Sequence, residues 1–317
     1  MKLVLVFCCS CLLSLSAFQP VHAQQVHYGL TRQSTIYIRS YPADSSEIVT
    51  QTLMGMPVKL LSSDDGWTQI VTPEGYTGFC TSNSVVPVDR AAFHAWNSAP
   101  KVIVTDYFTV VRGKASQTAA VVSDVVWGNL LLLKESKGAY YCVQLPDGRT
   151  GFLRKSHAQR FDQWLASRNP TPENLVETAK KFLGFPYFWG GISTKGVDCS
   201  GFTKMCYFLN GVILLRDAWQ QATTGDSIDI SHDYSLLQPG DLLFFGSKQH
   251  IGHVGMYIGN NQFIHSSSVV HISSLDPEAK NYDKYNTHRL VKARRIITQI
   301  DKDPGIVSVA KHAWYTK

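Results

Sequence analysis

The segment Asp198-Cys199-Ser200-Gly201-Phe202 sets a cysteine directly behind a residue suited to start a helix. Asp198 can cap a helix running from Cys199 to about Leu209, with Gly211 past its end. A thiol in the first helical turn feels the positive end of the dipole and free backbone N–H groups, which favour thiolate. The same N–H groups can hold an oxyanion. This suits a nucleophile; the bland alternative is a buried structural cysteine. A base must come from elsewhere. Residues 250–266 read as a β-hairpin turning at Gly259-Asn260-Asn261. With the turn near Gly259 or Asn260, His253 and His265 share a face, and a loop one residue different would flip one of them. On a shared face, one imidazole can act as base while the other holds it by a ring hydrogen bond. Singly, each has a bland reading as an exposed hairpin histidine, and His250 reads as a loop residue. Zinc ligation by Cys199, His253 and His265 is a competing chemistry, but no C-x-x-C or H-x(3–5)-H spacing supports it. Thiol chemistry of this kind requires neither metal nor cofactor.

The elements that would position these groups are also readable. Thr171-Pro172-Glu173 starts a helix, with Thr as cap, Pro in the first turn and Glu at the positive end. Leu175, Val176, Ala179, Phe182 and Leu183 give its buried face, and Gly184 ends it. Leu236 to Phe245 reads as a turn feeding a strand. Lys155 to Arg168 reads as a connecting helix with Phe161, Trp164 and Leu165 on one face, broken at Asn169-Pro170.

Ahead of this region one pattern occurs twice, offset by 73 residues: Arg39 and Arg112, Gly55 and Gly128, Trp67 and Tyr140, and Thr77-Gly78-Phe79 and Thr150-Gly151-Phe152. Pro73-Glu74-Gly75 likewise returns as Pro146-Asp147-Gly148. Short Val-, Ile-, Leu- and Thr-rich runs bounded by turn residues lie between these marks, predicting two small β-barrels of about 60 residues each. The spacing resembles the bacterial SH3-like domain. The copies differ at Glu47, which is Ala120 in the second, and at Tyr76, which is Arg149. The difference is either drift between two scaffolds or a sign that only the first copy lends side chains to a neighbouring site.

The chain has 317 residues, 44% apolar and 17% charged, which excludes disordered and fibrous classes and predicts two or three domains. A net charge of +6 with no basic run argues against nucleic acid as a partner. Lys2, the apolar run Leu3 to Phe18 and Val21-His22-Ala23 predict a signal peptide cleaved after Ala23. The run is shorter than the ~20 residues a membrane span needs. A lipoprotein is a weaker alternative. The expected product is exported, to the periplasm, cell envelope or medium, and monomeric. Cleavage would leave Cys80, Cys142, Cys199 and Cys206, too few for a disulfide framework. The expected divisions are 1–23 signal peptide, 24–90 and 100–155 barrels, 156–170 linker, 171–300 third domain and 301–317 tail. The tail carries no readable chemistry.

Five ordered blocks, P-Y-x-W-G-G, D-C-S-G-F, L-x-P-G-D-L-x-F-F, H-x-x-H-V-G-M-Y-I-G and F-I-H-S, make the third domain resemble the NlpC-type cell-wall cysteine peptidases. The resemblance implies an α+β chain with a papain-like domain behind two SH3-like barrels. It implies Cys199 as nucleophile, His253 as base and His265 as its orienting partner. With the barrels included, the chain resembles the γ-D-glutamyl-L-diamino-acid endopeptidases. These cut the D-γ-Glu to diamino-acid bond in murein peptides that begin with a free L-Ala. The resemblance further implies that Tyr187, Trp189, Asp198 and Ser200 line the substrate subsites, and that Glu47 and Tyr76 close the pocket over the L-Ala amine. Competing expectations are amidase or acyl-transfer chemistry on another bond, and a non-catalytic wall-binding protein.

Overall fold

A computed structural model describes residues 27–316; the expected leader lies outside the described residues. The first repeat contains β1 (His27–Thr31), β2 (Thr35–Arg39), β3 (Ile48–Leu53), β4 (Pro57–Asp64), β5 (Trp67–Val71), β6 (Thr77–Thr81) and β7 (Val85–Val88). These lie in the order β3-β2-β6-β5-β4-β1-β7. The second contains β8 (Lys101–Val104), β9 (Phe108–Arg112), β10 (Val121–Val126), β11 (Leu130–Lys137), β12 (Tyr140–Gln144), β13 (Thr150–Arg154) and β14 (Ala158–Arg160). Its order, β10-β9-β13-β12-β11-β8-β14, is the same arrangement repeated. β2 to β6 recur with both ends 73 positions on, as Thr35 with Phe108 and Thr81 with Arg154 illustrate. Each sheet folds around its own small apolar core, Ile36, Ile38, Val58 and Ile70 in the first and Val111, Val125, Leu131 and Val143 in the second.

Two elements depart from the sequence reading. The barrels are joined by α1 (Arg90–Ser98), which the sequence reading did not anticipate; Asp89 caps it by accepting from the Ala92 N–H at 2.7 Å. Its Phe93 stacks on Tyr28. The expected connecting helix from Lys155 is shorter, only α2 (Phe161–Ala166). The residues before it pair with β8 as β14, Ala158 opposite Val104, because the second sheet has an open edge to satisfy there.

α3 (Pro172–Lys180) begins as expected, with the Thr171 hydroxyl accepting from the Asn174 N–H. Leu175, Ala179 and Phe182 are buried, but Leu183 is exposed, because the helix has already ended and the chain is turning into Gly184. Then come β15 (Ile192–Ser193), β16 (Gly196–Val197), α4 (Cys199–Phe208), β17 (Val212–Leu214) and α5 (Ala218–Gln221). β18 (Asp226–Ile228), β19 (Leu242–Gly246), β20 (Ile251–Gly259), β21 (Gln262–Ser267), β22 (Val269–Ser274), α6 (Lys284–Thr287), β23 (Leu290–Arg295) and β24 (Ile306–Ser308) complete the chain. The main sheet has the order β18-β23-β19-β20-β21-β22. α4 is buried along its whole length and packs on this sheet through Phe202, Met205 and Cys206, against Val254, Met256 and Ile264. The same core takes in Leu53 and Met56 from the first barrel and Ile103, Val126 and Leu130 from the second. A mixed helix-and-sheet domain is thus fused to both sheets through one apolar interior.

The tail, read from sequence as carrying no chemistry, is a strap. β24 pairs with β17, Tyr315 is buried with its hydroxyl on Met56 Sδ at 2.9 Å, and His312 Nε2 meets the Pro73 carbonyl at 3.1 Å. It binds the third domain to the first barrel. No described helix is long and apolar enough to cross a membrane.

Candidate active site

The start of α4 is braced from several sides. Asp198 Oδ1 accepts from the Gly201 N–H at 2.7 Å and Oδ2 from the Gly190 N–H at 2.9 Å. Arg216, only 1% exposed, donates to both carboxylate oxygens, to Ser200 Oγ at 2.8 Å and, through Nε, to Thr50 Oγ1 in β3 at 2.7 Å. A buried pair in which every guanidinium nitrogen has a partner is costly to break, so helix start and barrel strand are fixed together. Two glycines permit the approach. A Cβ at Gly201 would sit 1.9 Å from the Gly191 carbonyl oxygen, and one at Gly190, where φ is +77°, would sit 2.6 Å from that of Ile48. A second buried ion pair, Lys204 with Glu74 at 3.3 Å, holds the middle of α4 to the first barrel.

Cys199 stands at this helix start, as the sequence predicts, and it is buried. Burial pushes its thiol up to about 12, and the Asp198 charge adds to this. The N–H groups of Val254 and Ser200 and the Arg216 guanidinium pull the other way. The histidines share one face of the β20–β21 hairpin. Asn260 and Asn261 both adopt φ near +50°, the tight two-residue turn that twists with its strands. Gly259 pairs with Gln262, but Tyr257 pairs with Phe263, so Ile258 is an extra residue bulging from β20. Beyond this bulge Met256 faces Ile264, which puts His253 and His265 diagonally on one side. Continued without the bulge, the turn's register would put them on opposite sides. His253 Nε2 is 2.8 Å from His265 Nδ1. Behind it, His265 Nε2 is 3.1 Å from Ser273 Oγ and 3.9 Å from Asp283 Oδ2. Burial lowers His253 to about 4 and His265 to about 2, so both rings rest neutral at pH 7.

A cleft of about 370 Å³ opens beside Cys199. All six residues expected to contact substrate, Glu47, Tyr76, Tyr187, Trp189, Asp198 and Ser200, line it. The polar atoms of Asp198 and Ser200 are engaged by Arg216, so these two brace the floor. The first barrel supplies Glu47 and Tyr76. The indole N–H of Trp189, across the domain boundary, donates to Glu47 Oε1 at 2.8 Å. Burial raises the Tyr187 phenol, and it stands near enough to Cys199 for a thiolate there to raise it further.

Asp217 is the lining residue that sequence reasoning missed. It heads α5, and its carboxylate lies beside the Tyr76 hydroxyl and the Trp219 indole. Burial raises it above the usual carboxylate range and raises Tyr76 to about 12. The available signal was Asp217 as cap of a short helix; nothing local linked it to a site. The arrangement is a shielded thiol against the Val254 N–H, with a neutral imidazole pair that begins at the preceding residue, His253. At one end of the cleft are two carboxylates, positioned to meet a cation.

Comparison with known proteins agrees with this geometry. Residues 184–295 match the NlpC/P60 family, and residues 34–86 match the bacterial SH3 domain. Dipeptidyl-peptidase 6 of Lysinibacillus sphaericus is 32% identical over 247 residues, 75% of this chain and 88% of that protein. A gamma-D-glutamyl-L-lysine dipeptidyl-peptidase of Bacillus cereus is 31% identical over 74% of this chain and 72% of its own length. The crystal structure of an NlpC/P60 family protein from Bacillus cereus superimposes with a TM-score of 0.71 at 25% identity, covering 84% of this chain and 99% of that one. The chain belongs to the NlpC/P60 family of cysteine peptidases.

Proposed function

We propose that the protein hydrolyses the bond between D-γ-glutamate and an L-diamino acid in murein peptides that begin with a free L-Ala. The observation that carries this reading is the acidic end of the cleft. Glu47 and Asp217 offer two carboxylates to a single ammonium, with Tyr76 between the barrel and Asp217. A charge-assisted pair there rewards a free amine, and the first barrel supplies Glu47 and Tyr76 to that end of the cleft. The relatives named for the γ-D-glutamyl-L-lysine bond supply the bond type.

In this reading Cys199 is the nucleophile, His253 its base and His265 the orienting partner. Sγ adds to the γ-glutamyl carbonyl as its proton passes to His253. The oxyanion is held by N–H groups at the start of α4 and by the Tyr187 hydroxyl. Collapse expels the diamino acid's amine, which takes the proton from His253, and leaves a thioester. Water, deprotonated by His253, then releases L-Ala-γ-D-Glu and the free thiol. Tyr187 and Trp189 flank the dipeptide, and Asp198 and Ser200 form its floor. A site that selects a free amine favours released peptides over cross-linked wall. The chain is read as exported after cleavage of residues 1–23 and acting as a monomer, divided as the sequence suggests except that the second barrel runs on through β14.

The test is mass spectrometry of L-Ala-γ-D-Glu-diaminopimelate incubated with residues 24–317. Release of L-Ala-γ-D-Glu by wild type and not by Cys199→Ala is expected, with loss of cleavage when the L-Ala amine is acetylated. A folded, reduced protein that leaves the peptide intact would sink the assignment and return attention to another amide bond or to wall binding.

A further inference from the structure

The hydrogen-bond chain behind the base continues past His265. One proton lies between His253 Nε2 and His265 Nδ1, which are 2.8 Å apart. It can belong to either ring, and the two choices have opposite chemical consequences. If His265 keeps it, His253 must carry its own proton on Nδ1, the nitrogen left for Cys199, and can take none from the thiol. If His253 keeps it, Nδ1 is a bare lone pair and the ring is a base. The proton of His265 then sits on Nε2.

What lies beyond Nε2 decides between them. Ser273 Oγ is 3.1 Å away and can accept or donate. Asp283 Oδ2 is 3.9 Å away and, ionised, can only accept. Its carboxylate is fixed as the cap of α6: Oδ1 accepts from the Asn286 N–H at 2.9 Å and Oδ2 from Asn286 Nδ2 at 2.7 Å. The other groups facing the pair are His271, with its ring centre 4.4 Å from that of His265, Arg289 beyond α6, and Asp198 on the Cys199 side. Among these described neighbours, Asp283 is the anion beside Nε2.

We propose that Ser273 and Asp283 are positioning residues. Together they keep the proton of His265 on Nε2, so that His253 carries its proton on Nε2 and turns a bare Nδ1 toward Cys199. The relay needs no rearrangement when the thiol proton arrives. His253 Nε2–H goes on donating to His265, and the Asp283 charge offsets the new imidazolium. This rests on the roles given to Cys199 and the two histidines above.

The test separates the relay from the substrate assignment. Alkylation of Cys199 by iodoacetamide is followed peptide by peptide in a mass spectrometer, from about pH 4 to about pH 9, beside peptide cleavage. Removing a nearby negative charge lowers every adjacent pKa, so Asp283→Asn moves the acidic limb of both profiles down by about one pH unit. It also lowers the plateau by about tenfold. Ser273→Val lowers kcat by about tenfold at unchanged KM, and Ser273→Thr, which keeps the hydroxyl, restores it. Nitrogen-15 spectra of the wild-type histidine rings show His265 protonated on Nε2, a readout that needs neither substrate nor a variant that folds. An acidic limb unmoved in folded Asp283→Asn, or a His265 proton on Nδ1, overturns the relay. Failure to cleave the murein peptide with a normal alkylation profile overturns the substrate assignment alone.

Discussion

The two barrels have the same seven strands in the same order, yet only the first reaches the cleft. What they share is internal. Arg39 and Arg112 each donate Nη1 to the carbonyl seven residues on, of Ser46 at 2.6 Å and of Ala119 at 2.7 Å. What differs is the outward partner. Gln51 in β3 accepts from the Ile192 N–H of the third domain, whereas its counterpart Asp124 in β10 meets Ser34 of the first barrel and Lys195. Glu74 is buried against Lys204 in α4; its counterpart Asp147 pairs with Arg32 of the first barrel. Where Tyr76 looks into the cleft, Arg149 folds back onto Asp147 and the Val122 carbonyl. Each barrel thus turns an equivalent face to a neighbour. Barrel cores hold their pattern because packing is unforgiving, while a face changes with what it touches.

Paired substitutions at equivalent positions sharpen this contrast. Glu74→Ala strips a buried lysine of its partner and should cost about 3 kcal/mol in urea unfolding. Asp147→Ala, facing half-exposed arginines, should cost at most about 1 kcal/mol. Equal losses would break the comparison. In steady-state cleavage of the free-amine peptide, Glu47→Gln should lower kcat/KM about 10- to 100-fold, whereas Ala120→Glu leaves it unchanged. Asp217 faces the first barrel only, and its pKa is raised by burial. Its contribution to stability is complete below the unfolded value of about 3.9 and is lost as pH rises through the raised folded value. Asp217→Asn should therefore raise Tm at neutral pH, by no more than about 2–4 °C, with the gain vanishing in acid, while weakening turnover. A neutral-pH Tm that falls would refute that sign. The smallest effects are expected from Tyr76→Phe, a few-fold rise in KM, and Arg149→Ala, none.

The repeat was legible because its marks serve each barrel locally: an arginine on a nearby carbonyl, glycines in turns, a spacing of 73. Cys199 and its helix were legible for the same reason, since Asp198, Cys199 and Gly211 act within one element. Asp217 was not, because its role depends on Tyr76, more than a hundred residues away, and its own neighbourhood has no pattern. The strap was missed because Ile306, Val309 and Tyr315 are too few and too irregularly spaced to register as an element; their burial is visible only beside β17 and Met56. The shared face of His253 and His265 was stated conditionally, since a turn sequence fixes the loop and leaves the bulge open.

That bulge has a consequence at the level of the gene. Loss of the single codon for Ile258 would remove the bulge and leave Tyr257 opposite Phe263 and Met256 opposite Ile264, so His253 would keep its side of the sheet. Losing a second codon between His253 and Gly259 would carry it to the far side. The hairpin therefore holds one residue in reserve, so functional descendants should tolerate the loss of one residue there and not of two.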